Sequence, residues 1–272
     1  MTILVVLIGL LISHYATGVR HFREFDFFLA PARWIHQRRP EPSWLLMIGL
    51  ILTCFIAAAI AEWLLMGAAG LLGWFVLALV VFIYCLGPRD LDKDVHRLVE
   101  NGLDGNDLAM VEARRAMRLT PDADPQSAAA AVLHAALSRW FGLLFWFVIL
   151  GVPGALLYRL VRAALQEPFD VPSIAWLARL RLILDLPVLA LMVLSAGLCS
   201  DFDRVFTSWR KARIDQPLWG FTPMLLDQIA ATALLPEATS IESLSTAHRL
   251  VWRMLVLWLV VMSLLLIAGW MV

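Results

Sequence analysis

The sequence predicts an all-α, polytopic integral membrane protein with about six transmembrane helices and short amphipathic cytoplasmic helices between them. Three observations carry this. Hydrophobic residues make up 61% of the chain and charged residues 16%, against roughly half and a quarter in soluble domains, and the mean hydropathy is +0.78. Uncharged runs recur at the length of about 20 residues that a spanning helix needs. Lys and Arg gather on alternate connections, as retention of positive charge in the cytoplasm requires. An ordinary cytosolic enzyme and a disordered tail are excluded. The 22 basic residues balance 22 acidic ones, so there is no global positive field for nucleic acid, and the partner implied is the lipid bilayer.

The spans follow in order. Residues 2–19 lack Asp, Glu, Lys and Arg, and they have neither the basic start nor the cleavage site of a signal peptide. Residues 44–66 and 70–86 form a helical hairpin across the link Gly67, Ala68, Ala69. Residues 140–165 are apolar but broken at Gly151, Pro153 and Gly154, where a proline ring and a missing amide donor interrupt a helix. Residues 182–198 carry Asp185 and Pro187 near their start, and 250–272 make the last span.

Six crossings put segments 20–43, 87–139 and 199–253 on one side with 5, 7 and 6 basic residues, leaving Arg159, Arg162, Arg179 and Arg181 on the other; if 140–165 re-enters instead of crossing, these four are cytoplasmic too. The large segments are therefore cytoplasmic and both termini external, in a single membrane domain over 1–272. Segment 87–139 reads as a cytoplasmic helical loop. One helix shows Leu91, Val95, Leu98 and Val99 and ends at Gly102; a second, capped by Asn106 or Asp107, runs to Met117; a third starts at Pro125 and feeds the fourth span. Segment 199–249 is a second cytoplasmic loop. Its stripe Phe202, Val205, Phe206, Trp209 opposes Arg210, Lys211 and Arg213, the pattern of an interfacial helix. Thr239 to Glu242 has the spacing of a capping box, which starts the final helix near Ser240.

No phosphate loop, zinc-protease motif or nucleophile elbow occurs, so no catalytic residues are assigned. Neither a cofactor nor a metal site is expected. Asp90, Asp92 and Asp94 lack the glycine and closing glutamate of a calcium loop and read as a solvated helix start. Cys54, Cys85 and Cys199 lack ligand or CxxC spacing and read as small apolar side chains. Ionisable groups at membrane depth are more telling, since each costs about 2.5–3.5 kcal/mol at a helix centre. Glu62 is near enough to its span's end to reach the interface. Asp185 fits either an ion pair with Arg181 one turn back or a ligand-facing site. The broken helix, followed by Tyr158 and Arg159, is the strongest local sign of a site, because broken helices line protected cavities. Gly151, Pro153, Gly154, Tyr158, Arg159 and Asp185 are therefore the candidate ligand-binding residues.

The stretch Phe145, Trp146, Phe147, Val148, Ile149, Leu150, Gly151, Val152, Pro153, Gly154, Ala155, Leu156, Leu157, Tyr158, Arg159 resembles the signature of the AmpE proteins. These are bacterial inner-membrane proteins linked to β-lactamase induction and related to the CobD/CbiB cobalamin-biosynthesis proteins. Weaker likeness extends to Arg89, Asp90 and Leu91, to Asn106 and Asp107 followed by Ala113 and Arg114, and to the C-terminal span. CobD/CbiB enzymes carry Asp-Pro and His-Pro near the N-terminus and Glu-Asn followed by Asp before the signature. Here the latter stretch runs from His134 through Ser138 and Arg139 to Trp140, and His14 to Phe28 lacks the dipeptides. The resemblance thus implies a multi-pass inner-membrane regulatory or sensory protein responding to cell-wall state or β-lactam antibiotic, with a wall-derived or lipid-linked ligand and a regulatory protein partner. The alternative is a membrane enzyme or carrier acting on such a lipid-linked or wall-derived substrate.

Overall fold

A computed structural model describes residues 2–15, 25–38, 44–86, 90–104, 107–215, 224–233 and 238–268. They are helical, with no strand among them: α1 Thr2–Tyr15, α2 Asp26–Arg38, α3 Trp44–Cys85, α4 Leu91–Asn101, α5 Leu108–Met117, α6 Pro125–Ala136, α7 Gly142–Ala164, α8 Val171–Cys199, α9 Phe202–Asp215, α10 Met224–Ala233 and α11 Ser240–Ile267. A π turn, Leu137–Phe141, joins α6 to α7.

Four stretches are long and apolar enough to cross a membrane: Trp44–Cys85, Pro125–Ala164, Val171–Cys199 and Ser240–Leu265. The architecture is that of an all-α, multi-pass membrane protein. The expected first span is shorter: the 14 residues of α1 reach about 21 Å at 1.5 Å per residue, against a hydrocarbon core of about 30 Å. The rest of that expected span, with residues 16–24, Arg89, Asn106 and 269–272, lies outside the described residues. The apolar helix expected from 140 begins at Pro125, and the one expected from 182 begins at Val171.

The chain forms two compact units. The first comprises Met1–Pro88 and Gly142–Asp185, and the second Arg89–Phe141 and Leu186–Val272. In the first, α3 is a hairpin. Gly70 has φ 61° and ψ −151°, a region essentially confined to glycine. Beyond it, Trp74 Nε1 donates to Glu62 Oε1 at 2.6 Å, although the two are 12 residues apart, about 18 Å along a straight helix. The expected hairpin therefore exists, but it pivots on one glycine rather than on a link over 67–69.

The same geometry recurs in α7. Gly151 has φ 66° and ψ −148°, and Gly154 comes back against the Trp146 carbonyl. The break attributed to Pro153 is made by Gly151. Pro153 lies in the first turn of the resumed helix, where a missing amide donor costs nothing. The helix turns back instead of crossing straight, and this return leg carries Arg159 to within 5.8 Å of the Phe25 ring. Phe25 in turn packs on Tyr84 at 4.8 Å, one residue from the end of α3.

In the second unit, Asp124 caps α6 and Pro125 takes its first position, as expected. Hydrogen bonds from Ser127 hold the Asp124 carboxyl below the usual carboxylate range. Ala128, Ala129, Ala130 and Ala131 are buried, and such small side chains let α11 approach the helix closely. Asp90 caps α4 and Gly102 ends it. The acidic run is not a solvated face, however. Asp92 Oδ1 lies 2.6 Å from His248 Nε2 and accepts from Trp252 Nε1 at 2.9 Å, two groups one turn apart on α11. Asp94 is buried and accepts from Arg139 at 2.8 Å. Helix packing takes these acids out of water, and each finds a donor on a distant segment. On α9, Phe202 and Phe206 stack at 5.6 Å and remain exposed while Val205 is buried, in keeping with an interfacial helix.

A buried charge cluster and a glycine bend in the first unit

The return leg of α7 presents Tyr158 and Arg162 on one face, since residues four apart are neighbours on a helix. Both reach Asp185 of α8. Tyr158 Oη donates to Asp185 Oδ1 at 3.0 Å. Arg162 Nη2 donates to both carboxylate oxygens at 2.8 and 2.9 Å and to Tyr158 Oη at 2.7 Å. Arg181 Nε stands 3.7 Å from Asp185 Oδ2, one turn earlier on α8. This is ion-pair distance but too long for a hydrogen bond. Tyr158 and Asp185 are each only 1% exposed.

Local structure holds the cluster in place. Gly142 lies under the phenol, where a methyl group would overlap the ring, and Trp146 Nε1 anchors α8 by donating to the Leu184 carbonyl at 3.0 Å. Two guanidinium groups, those of Arg162 and Arg181, thus face one carboxylate. Chemically the cluster can hold or release an anion, or signal a shift of α8 against α7. The phenol and the carboxylate are buried, while the Arg162 and Arg181 side chains keep part of their surface exposed.

The bend is a second polar feature. A side chain at Gly151 would meet Glu62 Oε1 at 2.8 Å, so the half-buried Glu62 carboxylate stands against the positive end of the helix that resumes there. Glu62 therefore joins the two hairpins of this unit.

Of the six residues singled out from sequence, Tyr158 and Asp185 meet directly, and Gly151, Pro153 and Gly154 build the bend. Arg159 points to Phe25 instead. Arg162 is the residue that sequence reasoning missed. Its spacing of four from Tyr158, which puts both on one helix face, is the signal that marks it.

At one end of this unit, Arg33 Nε and Nη2 donate to the Glu167 carboxylate at 2.8 and 2.6 Å. These hydrogen bonds, with the attraction of the Arg33 charge, hold the Glu167 carboxyl below its ordinary value. A depressed carboxylate contributes stability above its unfolded value and loses it as pH falls through the folded one. Arg33 is nearly half exposed, so the pair is worth under about 1 kcal/mol. Arg33→Gln is expected to return the Glu167 titration, followed by carboxyl NMR, toward the ordinary glutamate range.

No family model, curated protein or solved structure matches this chain.

Proposed function

We propose that this chain is a non-enzymatic, AmpE-like inner-membrane protein that takes part in β-lactamase induction and the response to cell-wall state. In this reading the Tyr158, Arg162, Asp185 cluster is its sensing centre. The observation that carries the proposal is an ion set buried among apolar helices. Each such group costs about 2.5–3.5 kcal/mol at membrane depth, so a retained one is a functional site by default. Burial of Tyr158 and Asp185 among packed helices supports a regulator over an enzyme or carrier, which would hold these groups in a closed polar cavity. The guanidinium groups suit an anionic wall-derived or lipid-linked ligand.

The likeness of residues 145–159 to the AmpE signature supplies the link to the cell wall. Segment 87–139 faces the cytoplasm in this reading, where the regulatory partner would dock. The test is deletion of the gene in a host with an inducible β-lactamase. Inducible activity should change and return when the intact gene is restored, and unchanged induction would reject the proposal.

A further inference from the structure

The two legs of the α3 hairpin do not close on one another. Between them, and against the return leg of α7, lies an apolar cavity of about 420 Å³ lined by Ala57, Ala58, Ala61, Val80, Val152 and Leu156. Alanines on the first leg leave the room. At about 30 Å³ per molecule the space equals on the order of a dozen waters. Such a lining offers water almost no partners and suits an apolar occupant.

The ends of the cavity differ in charge. At the bend end, Ala61 precedes Glu62, whose carboxylate stands on Gly151. At the other end, Phe27 and Tyr84 line the cavity and, with Phe25, form an aromatic cluster. The Arg159 guanidinium lies 5.8 Å from the Phe25 ring, and Arg159 sits on the same helix face as the lining residue Leu156, three positions earlier. An anionic head is thus repelled from one end and attracted to the other, and aromatics at the attracting end suit the headgroup level of a bilayer.

From Cys54 to Ala61 the lined leg runs about 10 Å at 1.5 Å per residue, less than one leaflet of a hydrocarbon core about 30 Å thick. That length suits part of one acyl chain and gives no grip on a long polyprenyl tail. We propose that this groove is a binding site for an anionic glycerophospholipid, with one acyl chain between the α3 legs and its phosphate at Arg159. The site rests on the membrane placement of α3 and α7 alone and not on the AmpE reading, so lipid binding and β-lactamase induction can fail separately.

The test uses the full chain, purified in detergent and titrated with phosphatidylglycerol, phosphatidylcholine or a polyprenyl phosphate, with bound lipid counted by native mass spectrometry. Phosphatidylglycerol should bind about tenfold more tightly than phosphatidylcholine, and Arg159→Gln should remove that preference while Arg159→Lys keeps it. Ala58→Phe, which fills the groove, should lower binding of both phospholipids. If Ala58→Phe does not fold, the two Arg159 variants decide alone. Equal binding of the two phospholipids, an unchanged preference in Arg159→Gln, or tighter binding of polyprenyl phosphate than of phosphatidylglycerol would overturn the assignment.

Discussion

Asp185→Ala should destabilise the protein by about 3–5 kcal/mol, because removing one partner leaves Arg162 buried beside a phenol with no carboxylate to answer it. The observable consequence is loss of most of the chain from the membrane fraction, with the purified remainder melting well below the wild type. Loss of abundance does not by itself separate a structural cluster from a functional one. The triple variant Tyr158→Phe, Arg162→Met, Asp185→Leu does, because replacing a whole buried ion set by apolar groups of similar volume is neutral or stabilising by about 1–4 kcal/mol. Arg181 tolerates the change because its side chain is one third exposed. The triple variant should therefore regain the abundance that the single variant loses, as measured by quantitative blotting of membranes and by Tm in detergent.

The glycine bends carry the second large effect. Gly154→Ala would drive a methyl group into the Trp146 carbonyl and the Leu150 side chain. These are backbone and near-backbone atoms that cannot swing away, so the cost should reach about 3 kcal/mol, the upper end for overpacking. Gly151→Ala combines a backbone conformation worth about 1–3 kcal/mol to any other residue with a clash against Glu62. Gly70→Ala suffers the backbone term alone, since nothing lies within 4 Å of its added carbon. The Glu62 carboxylate ends a flexible side chain and can shift, so the expected order of Tm loss is Gly154→Ala above Gly151→Ala and Gly70→Ala. A smaller loss at Gly154 than at Gly70 would deny the close return of α7 on the Trp146 carbonyl.

Much of this architecture was legible because it follows from composition and local chemistry. Apolar runs gave the long helices, Asp124 with Pro125 marked the start of α6, and Ser240 marked the start of α11. The bend in α7 was legible in place but not in cause. Proline draws attention as a helix breaker, yet the chain turns at the glycine before it. Each pivot, Gly70 and Gly151, is followed three residues on by a second glycine, Gly73 and Gly154, but Gly67 and Gly70 share that spacing, so sequence alone does not single out the pivot. What could not be read was long-range pairing. Asp92 and Asp94 have the spacing of a solvated helix start, and nothing local announces that His248, Trp252 and Arg139 will meet them. The same holds for Asp185, where the partner visible by spacing, Arg181, is the more distant one, while Arg162 arrives only because α7 turns back.

The most direct test of the central claim, that the buried cluster is the sensing centre and not a structural clasp, is β-lactamase induction in the triple variant at wild-type membrane abundance. A sensing centre requires that induction be altered as in the deletion strain, although the protein is present, inserted and at least as stable as before. Wild-type induction by that variant would contradict it.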